Sequence, residues 1–151
     1  MIQRTVIVAA IVISAAAATA AAQGDGIRVV ENPFQDDFEY RVDTDLKPQV
    51  EIAGVQWTRF GIHIRGDREF DSSKSIPVTV ELDFNNTNPD GVKILVIILF
   101  EDANGNPIDR LECDRVSVSG ERAEESADKY KVSGAVLRAT GRVYLFCEVD
   151  R

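Results

Sequence analysis

The chain has one histidine, His63, one tryptophan, Trp57, and two cysteines, Cys113 and Cys147, in 151 residues. Each scarcity removes a class of chemistry. A Ser-His-Asp or Cys-His nucleophilic arrangement would have to use His63, which falls on the polar parity of an alternating segment and reads as a surface or edge residue. No Gly-x-Ser-x-Gly elbow occurs, and neither cysteine follows a glycine-rich or helix-opening segment that would lower its pKa. Two cysteines are too few for a structural zinc site, and a histidine-based zinc or copper site fails on count unless carboxylates supply most of the ligands. Basic residues are the minority, 17 against 25 acidic, which disfavours phosphate backbones and anionic lipid surfaces. An acidic balance is equally what keeps a secreted domain soluble. Helical periodicity is scarce as well. The one stretch of helical composition, Glu121-Arg-Ala-Glu-Glu-Ser-Ala-Asp-Lys129 within 120–131, is polar all round and reads as a solvated loop or a single turn.

What is present begins with an export signal. Arg4 precedes an uncharged run from Thr5 to Ala22 that ends Ala20-Ala21-Ala22. A basic start, an apolar centre and small residues at the boundary make 1–22 a signal peptide cleaved after Ala22. The alternative is an uncleaved anchor, because the run nearly reaches a bilayer span; its alanine content makes that anchoring weak. No cysteine lies near the boundary to take a lipid. Without Arg4 the mature chain carries 16 basic and 25 acidic residues, a net charge of −9. That is one domain's length. The expected location is periplasmic or extracellular, with no membrane contact after cleavage. In that compartment two cysteines suggest one bridge, Cys113–Cys147, which would stabilise by about 3 to 4 kcal/mol through loop closure. The alternative is two buried thiols acting as small hydrophobes.

Residues 23–49 are acidic and irregular, with Asp25, Glu31, Asp36, Asp37, Glu39, Asp43 and Asp45 outnumbering Arg28, Arg41 and Lys47. Pro33 and Pro48 interrupt the segment, so it reads as a linker or a loosely attached edge, with Phe34, Phe38 and Tyr40 docking part of it. Residues 50–151 form the domain. Its most apolar stretch, Val92-Lys-Ile-Leu-Val-Ile-Ile-Leu-Phe100, is β-branched and suits a central strand. Val92, Ile94, Val96, Ile98 and Phe100 share one face and Leu95, Ile97 and Leu99 the other. Val78, Val80, Leu82 and Phe84 alternate with Thr79, Glu81 and Asp83, as Phe60, Ile62 and Ile64 do with Gly61, His63 and Arg65. Asn85–Gly91 and Glu101–Pro107 are runs of turn formers. A closing hairpin is predicted from 131–139 and 142–149 across Thr140-Gly141, pairing Leu137 with Tyr144. The sum is an all-β chain, an immunoglobulin-like antiparallel β-sandwich of about seven strands, with a small barrel as the alternative.

The order Val78-Thr-Val-Glu-Leu-Asp-Phe-Asn-Asn86, a turn, Ile94 to Phe100, then Glu101-Asp-Ala-Asn-Gly-Asn-Pro-Ile108 resembles the hairpin of FxLYD-type bacterial immunoglobulin-like domains. In these a strand ending in an aromatic and an acidic residue enters an Asp-x-x-Gly turn. Here Phe100-Glu101-Asp102 stands in place of Tyr-Asp. The resemblance covers about a third of the mature chain, supports the fold and implies no reaction.

Candidate sites follow from residue type. Asp102, Asn104, Asn106 and Asp109 offer spaced oxygen ligands for a hard cation such as Ca²⁺. Pro107, however, stands where an EF-hand needs glycine, so the expectation is a self-bonded turn and no metal. Paired carboxylates at Asp36, Asp37 and Glu39, or at Glu124 and Glu125, could serve glycosidase chemistry, yet both groups read as solvated charge runs. Arg65-Gly66-Asp67 spells an integrin-binding tripeptide and Asn32-Pro33-Phe34 an adaptor-binding one; both are read as chance. Trp57 reads as core. Leu95, Ile97 and Leu99 would mark a partner face if nothing in the domain covered them. The expected function is a non-enzymatic exported module without a cofactor, binding another secreted or envelope protein or an envelope component, or acting as an accessory domain. The alternative is a small secreted carboxylate-dependent hydrolase or carbohydrate-active fragment.

Overall fold

The structure is a computed structural model that describes residues 26–151; the predicted signal peptide, 1–22, lies outside the described residues. The described chain is all-β in two sheets with one short helix. The strands are β1 (Arg28–Val30), β2 (Phe34–Glu39), β3 (Asp45–Leu46), β4 (Val50–Ile52), β5 (Val55–Ile64), β6 (Ser75–Asn86), β7 (Val92–Glu101), β8 (Pro107–Glu112), β9 (Val116–Val118), β10 (Ala123–Ser133) and β11 (Arg142–Asp150), with α1 (Gly134–Ala139) before the last. The first sheet runs β1-β4-β5-β6-β10, with β3 also on β5; the second runs β2-β11-β7-β8, with β9 also on β7. All pairings are antiparallel except β1 with β4.

Period-two patterning builds both sheets. In β7, Ile94, Val96, Ile98 and Phe100 are at most 1 % exposed, and Val78, Val80, Leu82 and Phe84 of β6 turn inward in the same way. The two inner faces contribute to one core. At one end an aromatic group joins the sheets. Trp57 packs edge-on against Phe34 and Phe60 and tilted against Phe84, with ring centroids 5.6 to 6.3 Å apart, and its Nε1–H donates to the Arg59 carbonyl at 2.8 Å. A bulge between Trp57 and Arg59 lets Trp57 and Phe60 both face inward, the parity change that separates Val55 and Trp57 from Phe60 and Ile62 in the sequence.

The acidic segment 23–49 supplies β1, β2 and β3, with β2 as the outermost strand of the second sheet. Phe34 and Tyr40 are buried. The Tyr40 hydroxyl accepts from the Ile62 N–H at 2.7 Å and donates to the Thr44 carbonyl at 2.9 Å, tying the end of β2 to the other sheet. The Asn85–Gly91 turn does not close a hairpin; it carries the chain from the first sheet to the second. Buried Asn86 anchors it, donating to the Asp90 and Ser119 carbonyls and accepting from Asn88 N–H. The hairpin here is β7–β8, joined across the turn that follows Glu101.

Three further expectations are overturned. Residues 123–133 form an eleven-residue edge strand on β6 rather than a loop; their polar composition suits an edge with a wet outer side, where charge deters further pairing. The closing hairpin is absent. Gly134–Ala139, rich in good helix formers, coils into α1, buries Leu137, and passes the chain to β11, which pairs with β7 and β2 instead. Cys113 and Cys147 are free, buried thiols. Cys147 is opposite Val96 on one side of β7, and Cys113 N–H bonds the Val96 carbonyl on the other. A whole strand lies between them, a separation of roughly 9 to 10 Å at two strand spacings, beyond the reach of about 7 Å that a disulfide allows. A thiol-reactive chromogen should therefore find no reactive thiol in the native chain and both after denaturation, and reductant should leave the melting temperature unchanged; failure to detect thiols in the denatured chain would mean a bridge.

Candidate functional site

The outer faces of the two sheets differ in chemistry. On the second sheet, Leu95, Ile97 and Leu99 of β7 point away from the core and are half-buried. Across the β11 ladder Phe146 stands opposite Ile97 and Tyr144 opposite Leu99, so five apolar or aromatic side chains form a stripe two strands wide. Neither segment that the sequence offered as cover lies over it, since β2 runs beside β11 in the same sheet and β10 belongs to the other sheet. Polar groups rim the stripe. Glu112 faces Ile97 and Arg110 faces Leu99 from β8, and Gln35 and Asp37 flank Phe146 and Tyr144 from β2. The Tyr144 hydroxyl donates to Gln35 Oε1 at 2.6 Å.

The outer face of the first sheet is ionic. Register puts Asp45, Gly61 and Glu81 in one row across β3, β5 and β6, with Arg59 and Asp83 in the row on one side and His63 and Thr79 on the other. His63 Nε2 lies 3.0 Å from Asp45 Oδ1 and 3.7 Å from Glu81 Oε2. Arg59 Nε is 3.2 Å from Asp45 Oδ2, its terminal nitrogen pairs with Glu81, and Asp83 is 3.8 Å away. Partial burial works against the charge of Asp45, but hydrogen bonds from His63 and Arg59 outweigh it and hold the carboxyl below its ordinary range. Asp83 moves the other way, raised by burial and by Glu125 and Glu81 against the pull of Arg59. Sequence parity marks His63 as outward-facing; its partners, one strand away on either side, depend on register and have no local signature.

Glu101 closes one end of the apolar stripe. It is 8 % exposed, lying shallow but covered, and its Oε2 has no hydrogen-bond partner. Arg142 is opposite it in the ladder but spends its guanidinium on Asp37, at 2.9 to 3.2 Å. Burial, then the charge and hydrogen bond of nearby Asp37, raise the Glu101 pKa against the influence of Arg142, and Asp102 adds to the rise. Beside it Glu39, Tyr40, Arg41, Ala103, Thr140, Gly141 and Arg142 line an open, shallow groove of about 470 Å³.

The other predicted residues are placed as follows. Asp102 accepts from Asn104 N–H, Asn106 N–H and Asn106 Nδ2, bonds that hold its carboxyl low; Asp109 caps the Arg110 N–H. The turn thus satisfies itself. Asp36 and Asp37 point to opposite sides of β2, and Glu124 and Glu125 are exposed on β10. Arg65-Gly66-Asp67 is an exposed loop. In Asn32-Pro33-Phe34 the phenylalanine is buried, and Asn32 exchanges hydrogen bonds with the Val149 backbone. Burial pushes the Cys113 thiol up to about 12 and Cys147 higher. No family model and no curated protein matches this chain.

Glu101 yields a pH-dependent expectation. Its folded-state pKa is raised above the ordinary 4.5, so the folded chain binds that proton more tightly than the unfolded one. The stability it contributes is complete below pH 4.5 and is lost as pH rises through the folded value. Glu101→Gln should accordingly melt higher than the parent at pH 7, by about 1 kcal/mol for relief of a buried unpaired acceptor, with the advantage vanishing towards pH 4. Thermal melts across that range check it; a variant less stable at pH 7 would refute the assignment.

Proposed function

We propose that this chain is an exported, non-enzymatic β-sandwich module of immunoglobulin-like type that docks another secreted or envelope protein on the outer face of its second sheet. The observation that carries the reading is the contrast between the two outer faces. On the first sheet the outer face is ionic, with charge pairs across strands; on the second, Leu95, Ile97, Leu99, Tyr144 and Phe146 form a contiguous half-buried apolar stripe over which no other sheet of the described chain lies. Two largely antiparallel sheets with a shared core support the sandwich, and the pattern of Arg4 and the Thr5–Ala22 run supports export. The sole imidazole is engaged with Asp45 and both thiols are held protonated by burial, which supports a binding role over catalysis.

The stripe suits a protein rather than a polyanion or a bilayer. It is only two strands wide, and its rim carries both signs, Arg110 and Arg142 with Glu112 and Asp37. Such a rim fixes orientation against a partner surface, while the apolar centre supplies affinity.

Adjacent residues of one strand separate docking from folding. Ile98→Ala, on the inner face, should cost about 2 to 5 kcal/mol in denaturant melts. Ile97→Lys, one residue away on the outer face, should stay within about 1 kcal/mol of the parent and abolish capture of a partner from the envelope fraction of the source organism. Sedimentation velocity distinguishes a second copy of the chain from a different protein. The proposal fails if Ile97→Lys unfolds as Ile98→Ala does, if it retains capture, or if the purified chain turns over a substrate in a broad hydrolase screen.

A further inference from the structure

We propose that Asp45, His63 and Glu81 form a site for a divalent transition-metal ion on the outer face of the first sheet. Among the described residues they are the one group of three or more His, Cys, Asp or Glu side chains whose ligand atoms lie within 4.8 Å of one another. Each comes from a different strand, β3, β5 and β6, so the backbone pairing fixes their spacing. The His63 Nε2 distances of 3.0 Å to Asp45 and 3.7 Å to Glu81 are close to the roughly 3 to 3.5 Å between neighbouring ligand atoms around an ion bound at about 2.1 Å.

Gly61 makes the convergence possible. A Cβ on it would lie 2.6 Å from His63 Nε2 and 2.7 Å from Asp45 Oδ1, so both ligands fold into space that a side chain would fill. The patch is also over-supplied with negative charge. Asp45, Glu81 and Asp83 surround the single guanidinium of Arg59, and Glu125 lies opposite Asp83 on β10. Asp45 divides its oxygens, Oδ1 towards His63 and Oδ2 towards Arg59. A metal can therefore take Oδ1, Glu81 and the imidazole while Arg59 keeps Oδ2 and Asp83. The Arg59–Glu81 contact must open, and the His63 Nε2–Asp45 hydrogen bond must give way to the two metal bonds. The ring binds as the tautomer protonated at Nδ1, and its nitrogen selects a transition ion over Ca²⁺. With side-chain exposures of 26 to 42 %, the site is reachable and leaves its remaining coordination positions to water.

The experiment titrates the untagged chain with Zn²⁺ by calorimetry, with Ca²⁺ as control, and follows the imidazole resonances by NMR. His63 is the only histidine, so those signals need no assignment. One Zn²⁺ should bind, shift both ring nitrogen resonances and leave Ca²⁺ without effect. Glu81→Gln and His63→Ala should each weaken binding at least tenfold, and Arg59→Gln, which removes the competing cation, should tighten it several-fold. The proposal is overturned if Zn²⁺ leaves the His63 resonances unmoved in both the parent and Arg59→Gln. Binding of equal strength in Glu81→Gln, whose fold a circular dichroism melt verifies, overturns it too.

Discussion

The two-residue period of β7 is the constraint on which the molecule depends. From Ile94 to Phe100 every side chain is apolar, yet a pleated strand can bury only alternate ones in a single core. Ile94, Val96, Ile98 and Phe100 take that place, held by β11 on one edge and by β8 and β9 on the other. Among the described residues there is no third layer to set against Leu95, Ile97 and Leu99. An apolar outer face thus follows from a sequence that spends β-branched and aliphatic residues on both parities of one strand, where β6 spends them on one only. Had stability been the sole requirement, the Thr79, Glu81, Asp83 alternation of β6 shows the pattern that meets it.

The second organising feature is the aromatic group around Trp57. Phe34 of the second sheet packs against Trp57, which in turn packs against Phe60 and Phe84 of the first, and so the acidic N-terminal segment becomes part of the core. The bulge at Trp57/Arg59 that lets Trp57 and Phe60 face inward together also sets the outward parity of Arg59, Gly61 and His63. Core packing and the ionic patch are two consequences of one irregularity in β5. Because β3 pairs with β5 just beyond that bulge, Asp45 is brought over Gly61.

β5 and β6 were legible in the sequence because one dry and one wet face write burial into alternation, and β7 because a nine-residue β-branched run suits a central strand. β10 was not legible. An edge strand with much of its length solvated carries little apolar signal, and Glu124, Glu125 and Lys129 read as helix or loop by composition. Gly134–Ala139 failed for the opposite reason: short apolar runs are ambiguous between helix and strand, and only the need to pass from one sheet to the other decides it. The cysteines show what spacing cannot reveal. Both face the core, as two small hydrophobes should, but which strand lies between them is a matter of topology. For the ionic patch, His63 was visible as a polar-parity residue. Asp45 appeared as one acid among many in an irregular segment, and Glu81 as a solvated strand position.

The energetics of the two outer faces differ in a way that bears on why each exists. Exposed ion pairs contribute about 0 to 1 kcal/mol each, so the Asp45, Arg59, Glu81 and His63 patch adds little to folding, and burial of Asp83 together with the nearby charges of Glu125 and Glu81 works against it. Scattering those charges would serve stability and solubility equally well. The apolar stripe likewise adds nothing to folding that a polar ladder could not match, and it raises the risk of self-association. The fold is therefore held by the shared core, and both outer faces depart from what folding alone requires. One departs by excess negative charge gathered over Gly61, the other by a half-buried apolar stripe. The two departures lie on different sheets, the ionic one on the first and the apolar one on the second.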